Sequence, residues 1–306
     1  MNILENLELQ QISGDLINDI KYFRKFYNLE ENLEYRVNKS DKIFVGKDIL
    51  TMCITSILNS QNILLSGPKA TGKNLLADNL SQIFQRPQWN TSFHVNTDSS
   101  TLIGTDTFID NEIKLRRGSV YECALHGGFG VFDEINMAKN DAMVVLHSAL
   151  DHRRIIDVSG YDKIELHEAT RFIGTMNHDY AGTKELNEAL VSRFMVIDIP
   201  QIDEYTLTKI LKDESLNIKE DKLEQFVGIF LDLQLKSMNG EISTKSVDLR
   251  GLINSLKLIK LGLNPKLALD MGISNKTFDI YEKEIVKDII RTRIPDSWTN
   301  DNIFFE

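Results

Sequence analysis

Apolar residues change their spacing three times along the chain. Over residues 1–40 they recur at helical intervals, with Leu16, Ile17, Ile20, Phe23 and Phe26 in a charged lead-in that predicts a helix docked on its own domain, with a partner-binding arm as the alternative. From Ile43 the pattern shifts: 44–48 predicts a turn, 49–58 a helix and 59–62 a loop. Short apolar runs then alternate with helical ones. Strands are predicted at 63–65, 93–96, 127–134, 171–176 and 194–199, with helices from Leu75 to about Phe84, at 141–150 and at 186–192. Two hairpins interrupt this rhythm, one over 102–115 turning at Asp110-Asn111-Glu112, the other with arms 154–158 and 163–166 turning at Ser159-Gly160-Tyr161-Asp162. Strands alternating with helices imply an α/β unit with a mostly parallel sheet, whose ligands bind at the strand C-terminal ends. Beyond residue 203 only helical periods remain, over 205–211, 221–236, 246–261, 265–271 and 279–290, so a separate all-helical unit follows Pro200. The expected organisation is a helical extension at 1–40, an α/β core at 41–202 and a helical lid at 203–306.

Candidate chemistry starts at the first strand. Ile63-Leu64-Leu65 leads into Gly67-Pro68-Lys69-Ala70-Thr71-Gly72-Lys73-Asn74, and Leu75 opens a helix. A strand, a glycine-rich turn ending in Gly-Lys and a helix make a phosphate cradle, because backbone N–H groups point inward and the helix N-terminus adds positive partial charge. The spacing G-x-x-x-x-G-K is complete, but Asn74 replaces the Ser or Thr whose hydroxyl would hold Mg²⁺. Ala70 inside this turn is expected to take a negative φ.

A second feature lies about sixty residues on, where the strand led by Gly127-Gly128 ends in Asp133 and Glu134. Nucleotide hydrolysis needs one carboxylate near Mg²⁺ and another to orient the attacking water. Alternation along a strand would turn Asp133 to the metal and Glu134 to the γ-phosphate. The strand 171–176 delivers Asn177, an uncharged side chain that both donates and accepts.

Bulk properties narrow the partners. Lys and Arg number 35 against 45 Asp and Glu, a net charge of −10, so the surface as a whole repels phosphate backbones and nucleic acid is not an expected partner. Cys53 and Cys123 lie far apart and outside any C-x-x-C, which argues for buried free thiols. The six histidines lack metal-ligand spacing. No run of about eighteen apolar residues occurs, and the expectation is a soluble cytoplasmic protein.

Gly127–Asn136, Thr175-Met176-Asn177 and the stretch 182–194 ending in Ser192-Arg193-Phe194 resemble the AAA+ ATPases of the MoxR type, and within them the CbbQ, NorQ and GvpN branch. The resemblance spans about residues 41–260. It implies an AAA+ core with a helical lid, a ring of subunits that is usually hexameric, ATP bound at subunit interfaces, and Mg²⁺. Carried over, Gly67 to Leu75 would wrap the nucleotide, Lys73 would contact the β- and γ-phosphates, and Asn74 with Asp133 would sit at the metal. Glu134 would activate water, Asn177 would be sensor 1, and Arg193 the arginine finger of a neighbouring site. Arg250 is the chosen sensor 2, Lys245 its alternative, and Asn96 resembles the polar switch that restrains the catalytic glutamate. The resemblance further implies a remodelling chaperone acting with a von Willebrand factor A (VWA) domain partner on a client protein or complex. A nucleic-acid motor and a nucleotide-gated scaffold with little turnover are the alternatives. Lys114, Arg116, Arg117, Arg153, Arg154 and Lys163 on the hairpins are candidates for a ring pore or for ordinary solvated charge.

Overall fold

The computed structural model describes residues 2–109, 111–157, 162–177, 186–214 and 216–305. Its strands are β1 (Ile63–Gly67), β2 (Gln88–Ser92), β3 (Gly104–Ile109), β4 (Glu112–Arg117), β5 (Phe129–Asp133), β6 (Ile155–Ile156), β7 (Ile164–Glu165), β8 (Arg171–Asn177) and β9 (Met195–Asp198). Five of them form one parallel sheet in the order β2-β5-β8-β1-β9, whereas β3 with β4 and β6 with β7 make separate antiparallel pairs. The near-continuous apolar runs follow from this, since a parallel sheet is covered on both faces. In β1, Ile63 and Leu65 join one core while Leu64 joins the other; in β8, Ile173 and Phe172 divide the same way.

The lead-in packs onto the first of these faces. Ile3, Leu4, Leu7, Ile17, Ile20 and Phe23 share a buried cluster with Leu50, Ile54, Leu80 and Phe84. Helix Gly14–Phe26 starts at Ser13, whose hydroxyl accepts from Leu16 N, and Arg24 near its end donates to Ile83 O at 2.7 Å. The chain divides into two units, Met1–Pro68 with Gly72–Pro200, and Lys69–Thr71 with Gln201–Glu306. The second contains helices Glu204–Asp213, Glu220–Met238, Leu249–Lys260, Pro265–Gly272 and Ile280–Arg293 around a core of Phe226, Phe230, Leu252, Leu256 and Ile290.

Several expectations change. The strand lies at Gln88–Ser92, ahead of 93–96, because its partner β5 fixes the register from Gln88↔Phe129 to Ser92↔Asp133. The predicted helix 141–150 is Asn140–Met143, a 3₁₀ turn and His147–Leu150. Helix 186–192 shortens to Glu188–Val191, and helix 246–261 begins at Leu249, where the Asp248 carboxylate accepts from Gly251 N at 3.1 Å and caps it. Asp110, the arm residue Val158 with the turn residues Ser159, Gly160 and Tyr161, His178 and the motif residues 182–185 lie outside the described residues.

Candidate nucleotide-binding site

The parallel sheet brings the C-terminal ends of β1, β5 and β8 together. β1 ends at Gly67 beside Asn177 of β8, and β8 runs past the end of β5, whose last registered pair with it is Phe132↔Gly174. Gly67 turns the chain with φ 152°, and a Cβ there would stand 2.3 Å from Ile199 O, so only glycine lets β1 leave the sheet at this point. Gly72, with φ 85°, precedes helix Lys73–Phe84, whose first turn carries no side-chain cap. Its N-terminal amides are therefore available to an anion. Ala70 has φ 65°, left-handed and opposite to expectation: the tight loop between Pro68 and Gly72 imposes a conformation that alanine adopts at a cost.

Lys73 is buried. Its ammonium donates to Gly67 O at 3.0 Å and Pro68 O at 2.6 Å. Burial pulls its pKa from 10.5 down to about 8, although Asp133, Glu134 and Asp198 each favour the charged form. Asp198, at the end of β9, escaped the sequence reading because nothing local links it to the loop; it is level with Ser66 only through the β1–β9 register. Asn74 is exposed in the first turn of the helix.

Asp133 ends β5, and Glu134 has already left the strand with φ 53°. The backbone turns left-handed at Glu134, so the strand alternation expected of the pair does not extend to it. Thr175, buried in β8, donates its hydroxyl to Asp133 Oδ1 at 2.7 Å and accepts from Glu134 N at 3.2 Å. Asn177 Nδ2 donates to Glu134 Oε1 at 3.2 Å. Asn136 donates its amide to Asn177 O at 3.1 Å, and its own Oδ1 is buried with no hydrogen-bond partner among the described residues. Thr175 and Asn136 lie in the stretches that carry the resemblance, but the sequence assigns neither a role of its own.

Other expected residues lie elsewhere. Asn96 is exposed and four residues past the end of β2, so it is not the strand-terminal residue; Ser92 holds that place opposite Asp133. Arg193 lies at the opposite margin of the sheet, just before Met195, whose N–H bonds Asn62 O ahead of β1. The five residues of β1 separate that margin from Gly67 by roughly 13 Å. The Arg193 guanidinium donates to His147 O at 3.2 Å and to Ala189 O, and lies 3.7 Å from Asp151. Arg250 and Lys245 are exposed in the second unit. Of the hairpin cations, Lys114 pairs with Glu112, Arg117 with Glu122 and Arg153 with Asp151, while Arg154 donates to the carbonyls of His167 and Thr170.

Residues 62–194 match the family model described as AAA domain (dynein-related subfamily). The chain is 33% identical over 251 residues to the uncharacterized protein YojN of Bacillus subtilis, spanning 80% of this chain and 82% of that one. It is 32% identical over 233 residues to the uncharacterized protein SAB1265c of Staphylococcus aureus, spanning 74% of this chain and 88% of that one. The chain belongs to the AAA family. Among solved structures it is similar to a RuvB point mutant from Thermotoga maritima, with TM-score 0.49, 17% identity and coverage of 80% of this chain and 68% of that one.

The AAA family implies nucleotide binding, and the residues present fit a magnesium nucleotide. The desolvated Lys73 ammonium at the start of this helix, bonded to Gly67 O and Pro68 O, is a charge that a phosphate would favour further. The nearby donors, the Asp133 carboxylate and the Asn74 amide, offer the hard oxygen ligands that Mg²⁺ takes. Among the described residues no three His, Cys, Asp or Glu side chains cluster in a way that could hold a metal ion. No helix among the described residues is long and apolar enough to cross a membrane.

Proposed function

We propose that the chain is a magnesium-dependent ATP hydrolase of the MoxR type, working as a ring and remodelling a client protein or complex together with a VWA-domain partner. One observation carries the hydrolytic part. A single hydrogen-bonded path runs from Asp133 through Thr175 to Glu134 and on to Asn177, beside the buried ammonium of Lys73. A site that only bound phosphate would need the ammonium and the helix terminus, and nothing to hold a free carboxylate at the γ end.

Gly67 to Leu75 would wrap the triphosphate, with backbone amides from every position but Pro68, and Lys73 would hold its β- and γ-oxygens. Asp133 and Asn74 would hold Mg²⁺, which would supply positive charge against that building on the phosphate oxygens. Glu134 takes the proton of the water that attacks the γ-phosphorus as the bond to ADP breaks. Asn177 occupies one Glu134 oxygen, leaving the other to the water. Arg193, at the far margin of the sheet from Gly67, serves the site of a neighbouring subunit and stabilises the transferring phosphoryl group there. Arg250, with Lys245 as the alternative, reports the nucleotide state to the lid.

Sharing a site between subunits makes turnover depend on assembly. ATPase rate per subunit, followed with light scattering across a dilution series, is expected to fall as rings dissociate. A rate per subunit that stays constant down to monomer would exclude the shared site. Co-purification from the native host is expected to retain a VWA-domain protein, and its absence from the ATP-bound ring would remove the proposed partner.

A further inference from the structure

We propose that Thr175 is a positioning residue that sets Asp133 and Glu134 apart by one hydroxyl, an inference that rests on the hydrolytic function proposed above. β5 and β8 pair through Phe132↔Gly174 and no further, although β8 continues alongside β1 through Thr175, Met176 and Asn177. Where the backbone ladder stops, the Thr175 side chain takes it over. Its Oγ1 accepts the N–H of Glu134, which a ladder carbonyl would otherwise have taken, and gives its proton to Asp133 Oδ1.

The consequence is geometric. A hydroxyl has one proton to give, and here it is spent on the carboxylate, which fixes the lone pair that faces Glu134 N. Asp133 Oδ1 is thereby held in place. Glu134 is meanwhile pinned in its left-handed conformation, φ 53°, which sends its side chain out of the strand direction towards Asn177. Thr175 is 1% exposed, and its β-branched side chain has few rotamers to choose from, so the hydroxyl cannot wander. Thr175 touches neither nucleotide nor water in this scheme and acts only through its two acidic neighbours.

Full-length Thr175→Val and Thr175→Ser proteins test this with two readouts. One is the kcat and KM for ATP, the other hydrogen exchange at the Glu134 amide. Valine keeps the shape and removes both hydrogen bonds. Its kcat is expected to fall on the order of 10²-fold, the loss typical of a misplaced catalytic group, with KM within about 3-fold because Lys73 and its loop are untouched. The Glu134 amide should exchange about tenfold faster or more once its acceptor is gone. Serine restores the hydroxyl and should return kcat and exchange towards wild type. Wild-type kcat in Thr175→Val, unchanged exchange at Glu134, or a serine variant as impaired as valine would each overturn the proposal. If valine does not fold, Thr175→Ala takes its place with the same expectations. Should the wild-type ring hydrolyse nothing, the ATPase function fails, and exchange at Glu134 still decides what Thr175 does.

Discussion

Binding of a triphosphate should draw a proton from solution around pH 8 and above, because burial leaves Lys73 partly deprotonated there. Burial lowers its pKa from 10.5 to about 8, and the phosphates would raise it again. If the ammonium form is the one that binds, apparent affinity scales with its fraction, falling about tenfold between pH 7 and pH 9, or about 1.4 kcal/mol. Proton uptake per site should be about 0.1 at pH 7, 0.5 at pH 8 and 0.9 at pH 9. The nucleotide's own last phosphate proton, with a pKa near ~6, is gone by then and does not confuse the count. Titration calorimetry of a non-hydrolysable ATP analogue at pH 9, in two buffers of different protonation enthalpy, measures the uptake directly. Lys73→Arg, whose charge does not titrate, should take up no proton with whatever affinity it retains. A buffer-independent heat together with a flat affinity from pH 7 to pH 9 would refute the reasoning. The same shift acts on folding without ligand. Between pH 8 and 10.5 the unfolded chain binds the proton that the folded chain has lost, so stability should rise with pH across that window, by up to about 3 kcal/mol from this group.

Three substitutions probe other parts of the account. Gly67→Ala puts a Cβ 2.3 Å from Ile199 O at a φ of 152°, and should cost about 2–4 kcal/mol in denaturant unfolding; a neutral effect would mean that β1 leaves the sheet differently. Arg171, buried at the start of β8, donates to Ile57 O, Glu168 O, Thr170 O and Ser60 Oγ, so Arg171→Met should destabilise by about 3 kcal/mol while sparing nucleotide affinity. Arg193→Ala should lower kcat on the order of 10³-fold without loss of ATP binding. Mixing it with Glu134→Gln subunits should restore part of the activity, since each supplies what the other lacks at a shared site; mixtures no more active than their components would place Arg193 outside the neighbour's site.

Much of the sheet was legible because burial on both faces leaves an unmistakable run such as Ile63-Leu64-Leu65 or Phe172-Ile173. The phosphate loop was legible because its glycines answer a local geometric demand, as Gly67 does against Ile199. β2 was not. It is an edge strand written Gln-Trp-Asn-Thr-Ser, with Asn90 and Ser92 exposed, and the more apolar 93–96 beside it drew the assignment. Ala70 misled for a related reason, since the loop, and not the residue's preference, sets its φ. The roles of Thr175, Asn136 and Asp198 arise only once strands distant in sequence are laid side by side. Threonine is at home in any strand, so its residue type alone carries no message.

In the proposed function Glu134, held by Thr175 and Asn177, performs hydrolysis at a site where Lys73 binds the phosphates. Steady-state turnover and equilibrium ATP binding of the Glu134→Gln ring, measured beside wild type and Lys73→Ala, test it most directly. The account predicts that Glu134→Gln binds ATP as wild type does and turns it over on the order of 10²-fold more slowly or worse, whereas Lys73→Ala binds none. Wild-type turnover by Glu134→Gln would contradict it.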